Sequence, residues 1–290
     1  MKLGVVSHRS IAPVWETVPI GRAAIRALYA ELALHPKPGL VSPLDSGSHD
    51  DMDMTTFMRS LFALRGYYRD IAAAGARGAD FATLQALGIA AERRMLAATG
   101  GVNTHRGAVF GLGLLTAAAG WLRGTGKPLR GQALGGVVAT LWGGDILAVS
   151  PRAPDSNGAQ AIRRYGVRGA RQEAAEGFPT LVKVALPTLA RTFDLLGCEE
   201  RAMVQTLFAL MATLDDTNLL HRGGPEGLDF VQAEARRFLD RGGVFRSDWR
   251  TGAVAAHHAC VARRLSPGGS ADMLAAAWFV HSLRHGEDRP

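Results

Sequence analysis

The chain has only two cysteines in 290 residues, Cys198 and Cys260, far apart and outside any CxxC pair. That argues against a disulfide framework or a thiolate zinc site, and it predicts a reducing, cytoplasmic setting. Aromatic residues are scarce at 7% and are not interleaved with the basic ones, so a nucleic-acid partner is not expected. No run of about 18 apolar residues occurs, and no membrane span is expected. The opening MKLGVVSHRS carries an apolar patch too short for a secretory signal. Strand signals are few, as are Asn-Gly hairpin turns. Also missing are the Gly-rich phosphate loop ending in Lys-Ser/Thr, the dinucleotide fingerprint, the Gly-x-Ser-x-Gly elbow and HExxH.

What the chain does have is helical periodicity and 47% apolar residues, enough for a packed core. Met54, Phe57, Met58, Leu61, Leu64, Tyr68 and Ile71 share one helix face. Leu84 to Met95, Ala108 to Leu122, Leu181 to Phe193 and Leu207 to Leu214 repeat the pattern, and further helices are predicted over 228–240 and 270–284. Breakers such as HPKPG (35–39), TGKP (125–128), SPRAPDSNG (150–158), GGPEG and LSPGG separate them. None is long enough for an interdomain linker. The expectation is one all-α domain spanning residues 1–290, with roughly ten or more helices. Gly111 and Gly113 fall inside a helix pattern, pointing to close helix packing or close approach of a ligand. Lys plus Arg number 33 against 26 acids, a net charge of +7 that suits an anionic ligand but does not require one.

The polar constellations carry the chemistry. VSPLDSGSHDDMDMTTF, residues 41–57, crowds His49, Asp50, Asp51 and Asp53 ahead of an apolar run. A helix starting near Asp51 would put Asp50 and Asp53 on one side with His49 beside them. Acids at a helix start also serve capping and the helix dipole, but three with a histidine exceed that need. Such carboxylates repel unless a cation neutralises them, and Mg²⁺ bridging a phosphate fits them better than zinc. In ATLDDTNLLHRGGPEG, residues 212–227, Asp215 is expected one turn after Met211 on an apolar helix edge, with Asp216 further round. The bland alternative is a helix end with exposed acids. GGVNTHRGAVFGLGLL, residues 100–115, offers Asn103 or Thr104 as a cap, with His105 and Arg106 in the first turn as an anion site. Arg163, Arg164, Arg168 and Arg171 cluster around two glycines, as either a polyphosphate grip or a solvated face. Lys37 sits in the Pro-stiffened HPKPGLV and is a phosphate candidate.

HPKPGLVSPLDSGSHDDMD, GGVNTHRGAVFGLGLL, GARQEAAEGFP and DDTNLLHRGGPEGL together resemble, in order and spacing, the triphosphoribosyl-dephospho-coenzyme A synthases, over about residues 20–285. The family pattern has a small residue before His and Asp after it; GSHDDMD keeps His49, Asp50 and Asp53 available. A free-standing chain of this length most resembles the version serving malonate decarboxylase, with the citrate lyase version as close competitor.

The resemblance implies that ATP and 3′-dephospho-coenzyme A give 2′-(5″-triphosphoribosyl)-3′-dephospho-coenzyme A and adenine, for the acyl carrier subunit's prosthetic group. It implies a whole triphosphate held by cations with Mg²⁺, and a base for the attacking hydroxyl. On that reading Asp50, Asp53, Asp215 and Asp216 share metal binding and base duty. Lys37, Arg106, Arg168, Arg171 and Arg222 hold phosphates, and His49, Asn103 and Asn218 orient nucleotide and ribose, with His105 beside them. Two rivals stay open: a Mg²⁺-dependent hydrolase of ADP-ribosyl or nucleotide bonds, and a helical adaptor without activity. The oligomeric state is undetermined, a homodimer being one option.

Overall fold

Helices α1 (Val18–Ala33), α2 (Met54–Ala76), α3 (Phe81–Ala98) and α4 (Arg106–Gly124) form the first half of a computed structural model that describes residues 14–149 and 157–286. Then come α5 (Gly131–Ala148), α6 (Asn157–Tyr165), α7 (Ala170–Ala175) and α8 (Leu186–Leu196). The chain ends in α9 (Glu199–Met211), α10 (Thr217–Asp240), α11 (Trp249–Ala262) and α12 (Gly268–Gly286). The described residues contain no strand, so the fold is all-α. The N-terminal stretch 1–13, and most of the expected loop at 150–158, lie outside the described residues.

Caps set several boundaries. Asp53 has an extended backbone and accepts the amide of Thr56 at 2.8 Å, so α2 begins at Met54 rather than near Asp51. Asp80 starts α3 in the same way, accepting from Thr83 at 2.9 Å. Gly197, in the left-handed region at φ 59°, closes α8. The predicted helix over 181–193 opens as a π-turn, Leu181–Ala185, that runs into α8. The predicted 228–240 helix is the second arm of α10. Its first arm was hidden by Gly224 and Pro225, which bend the helix (φ 61°, ψ −164° at Gly224) instead of ending it.

Helix α2 packs on α1, α3 and α4, and α12 lies against α1, α4 and α9. The α2–α4 crossing is backbone on backbone: a Cβ at Gly75 would overlap the carbonyl of Ala117, and one at Gly120 that of Ala72. Gly113 makes room for the Tyr67 hydroxyl, so close packing explains it, whereas Gly111 is not crowded. Leu64, Tyr68, Ile71, Leu115, Leu207, Phe208 and Phe279 are buried in one apolar cluster. Both cysteines are free. Cys260 is fully buried behind Gly39, and burial pushes its thiol up to about 12, while Cys198 is half-buried.

Candidate active site

Residues 34–53 join α1 to α2 without regular structure, and side chains from the C-terminal third hold them in place. His257 of α11 has Nδ1 at 2.9 Å from the carbonyl of Lys37 and Nε2 at 3.3 Å from the carboxylate of Asp45. Ser48 donates its hydroxyl to the carbonyl of Leu265 at 2.7 Å. Arg222 of α10 donates to the carbonyls of Ser48 (3.1 Å) and Arg264 (3.3 Å), and to Nδ1 of His49 at 3.0 Å. That contact places the His49 proton on Nε2, which faces the Ser266 hydroxyl at 2.9 Å. Burial, then Arg222, hold His49 below its ordinary value, against the pull of Asp51. Arg264 itself sits in the left-handed region at φ 54°, a strained conformation for a non-glycine residue.

Inward from this rim the groups are buried. Lys37 is 1% exposed and pairs with Glu31 of α1 at 2.6 Å. Burial lowers its pKa, and Glu31 opposes the shift. Asp216 is also 1% exposed and caps α10, accepting from the amides of Asn218 (2.9 Å) and Ser270 (2.9 Å) and from the Ser270 hydroxyl (3.3 Å). One carboxylate thus ties the N-termini of α10 and α12 together. Asp272, one turn into α12, performs a similar service for α4: it takes the amide of Ala108 and fills the space that a side chain at Gly107 would need. Burial, with Glu31 and Asp216 nearby, raises Asp272 well above the usual carboxylate range. Burial likewise raises Asp216, and its amide partners offset part of the rise. His105 is buried, bonded through Nδ1 to Ser60 at 2.7 Å, and lowered to about 3 by burial and then by Lys37. Among the described residues its Nε2 has no hydrogen-bond partner, nor do the buried Tyr68 hydroxyl and Thr104 Oγ1. An orphaned buried polar atom costs about 1–3 kcal/mol, so three around one cluster mark a place built to receive polar ligand atoms.

The structure gathers Lys37, His49, His105, Asp216, Asn218 and Arg222 into this region. Asn103 works as a cap, accepting the Arg106 amide at 3.2 Å, and Arg106 lies 3.5 Å from Glu92. The other predicted residues sit differently. Asp53 is an exposed cap, and Asp50 is exposed, 3.7 Å from Arg264. Asp215 does not extend a helix face, because α9 ends at Met211; it is exposed in the link before α10. Among the described residues no group of three or more His, Cys, Asp or Glu side chains is arranged to hold a metal. The four aspartates therefore do not form a ligand set in this structure. Arg168 pairs with Glu176, and Arg171 binds the carbonyls of Ile146 and Val149 at the end of α5, so both guanidiniums are engaged with protein groups. Sequence reasoning missed Glu31, Asp45, His257, Ser266, Ser270 and Asp272. LSPGGSADML held a signal, since two glycines after Ser-Pro, followed by Ser and Asp, fit a helix start that receives a neighbour's carboxylate; only its breaker role was read.

Residues 18–290 match the profile described as ATP:dephospho-CoA triphosphoribosyl transferase, with the buried cluster inside the match. The chain belongs to that family. It is a transferase, a triphosphoribosyl-dephospho-CoA synthase. A Klebsiella pneumoniae relative named 2-(5″-triphosphoribosyl)-3′-dephosphocoenzyme-A synthase is 42% identical, over 91% of this chain and 90% of its own. A Pectobacterium atrosepticum protein of the same name is 40% identical, over 92% and 90%. An Acinetobacter calcoaceticus protein printed as "Probable 2-(5″-triphosphoribosyl)-3′-dephosphocoenzyme-A synthase" is 39% identical, over 89% of each chain. No solved structure matches. The family's two substrates are anionic, which suits the rim where the Arg222 guanidinium stands beside His49.

Proposed function

We propose that this chain transfers the triphosphoribosyl group of ATP to the 2′-hydroxyl of 3′-dephospho-coenzyme A, releasing adenine, in service of malonate decarboxylase. The observation that carries the site assignment is the convergence of the Lys37 loop with the starts of α4, α10 and α12 on one buried polar cluster. The triphosphate must survive the reaction whole, which calls for fixed cations rather than an attack on phosphorus. Arg222 and His49 are proposed to hold it, Lys37 being bound to Glu31 behind them, with Arg106, Asn103 and Asn218 placed for the nucleotide. Magnesium is proposed to arrive on the nucleotide, held chiefly by phosphate oxygens and water; the described residues offer it no ready set of ligands, and no step here depends on it.

The purified chain with ATP, Mg²⁺ and dephospho-coenzyme A should release adenine and form the triphosphoribosylated product. Appearance of ADP or AMP in place of adenine would defeat the proposal. Adenine released without the acceptor would favour the hydrolase reading instead. The malonate assignment rests on resemblance alone. Deleting the gene should abolish growth on malonate and leave citrate fermentation intact; the reverse pattern would assign the chain to citrate lyase.

A further inference from the structure

We infer that Asp272 is a catalytic residue whose carboxylic acid gives its proton to a ring nitrogen of the departing adenine. The inference rests on the transfer reaction proposed above. Three carboxylates converge here, Glu31 from α1, Asp216 at the start of α10 and Asp272 from α12, and two are already committed. Glu31 is bound to Lys37 at 2.6 Å, and Asp216 is taken up by the amides of α10 and α12. Asp272 has the amide of Ala108 as a partner and keeps part of its surface open. Gly107 leaves its carboxyl the room it occupies.

A second observation points to a ligand. The Tyr68 hydroxyl, close enough to feel the charge of Asp272, is wholly buried and has no hydrogen-bond partner among the described residues. On the side of Lys37, Nε2 of His105 is equally unpartnered. Polar atoms of a bound substrate would complete both groups.

The surroundings decide between acid and base. Facing Asp272 are Glu31, with Lys37 already spent on it, Tyr68 from α2, the Ala108 amide from α4, and Asp216 from α10. Burial acts first and the carboxylates of Glu31 and Asp216 add to it, while among the described residues the cation there, Lys37, is paired with Glu31, so the protonated form is favoured. In the step itself the C1–N9 bond of ATP breaks with its electron pair going to adenine. Asp272 supplies the proton to adenine and is left as a carboxylate. The 2′-hydroxyl of dephospho-coenzyme A forms the new bond to C1, and its proton passes to water. Asp272 regains a proton from water after release, so the cycle closes.

The test uses ATP and ATP methylated at N7, whose base already carries a positive charge and leaves without needing a proton. Asp272→Asn should slow adenine release from ATP by about 10²–10⁴-fold, yet release 7-methyladenine at close to the wild-type rate. Equal losses on both substrates, or no loss on ATP, would overturn the assignment. Should Asp272→Asn fail to fold, Asp272→Glu and the wild type still decide it. The wild-type kcat/KM should fall at alkaline pH with ATP but not with the methylated substrate, and Asp272→Glu should move that limb. A limb common to both substrates, or one that Asp272→Glu leaves in place, would overturn it equally. A wild type that forms no adenine from ATP and dephospho-coenzyme A would instead sink the transfer reaction, a separate result.

Discussion

His105 stays neutral in the folded protein at any pH above about 3, whereas in the unfolded chain it takes a proton near 6.5. The unfolded state therefore binds the extra proton through this window. Stability is lost as pH falls from 6.5 toward 3, by an amount on the order of 4 kcal/mol from this side chain alone. Urea unfolding at pH 7 and pH 4 should show the fall, and His105→Gln should flatten it; an equally steep fall in the variant would refute the argument. Sequence reasoning picked out His105 from its place beside Asn103 in a helix start, but it could not see that Ser60 and Phe57, more than forty residues earlier, enclose it. The same limit explains the missed residues. Glu31 reads as an ordinary polar position of α1, and only the fold shows that it is the buried partner of Lys37.

At the level of elements, the Lys37 loop closes turns of its own, as in the Ser48 amide's bond to the Gly39 carbonyl at 3.0 Å, and α10 and α11 fix it in place. His257→Gln removes the grip on the Lys37 carbonyl and Asp45 while keeping a polar side chain. One such bond is worth about 1 kcal/mol, so KM for ATP should rise roughly five- to tenfold with kcat little changed. A matching fall in kcat with KM unmoved would show that the strap does not position the nucleotide side. Arg171 belongs to the opposite class, since its guanidinium closes the carbonyl end of α5. Arg171→Ala should lower Tm by several degrees and leave KM for ATP within about twofold; a large KM effect would return the arginine cluster to the phosphate site. Amphipathic spacing revealed α2 and α3 because each shows a one-sided stripe, and α4, buried all round from Leu112 to Gly120, was legible from its length of apolar residues. Helix α5, apolar around its circumference and broken by glycines, carries no such stripe, and α10 was cut short at its Gly-Pro bend.

Across the whole molecule, the all-helical character was legible because strand and hairpin signals are few in the sequence. The order of packing was not, because it depends on which glycines let backbones touch, as Gly75 and Gly120 do. The net charge of +7 suggested an anionic ligand, but arginines such as Arg168 and Arg250 are paired with Glu176 and Glu200, so total charge says little about where that ligand sits.

The two thiols give the whole fold a chemical reporter. Cys198 lies in the turn between α8 and α9, and Cys260 lies beneath the loop that carries Lys37. A maleimide added at neutral pH should modify one sulfur per native chain and two once urea is present, and modification of the second should keep pace with global unfolding. Rapid double labelling without denaturant would mean that the loop lifts away by itself, and saturating ATP should then slow it. A dye on Cys260 would thus time the opening of the nucleotide seat from underneath, with no residue replaced.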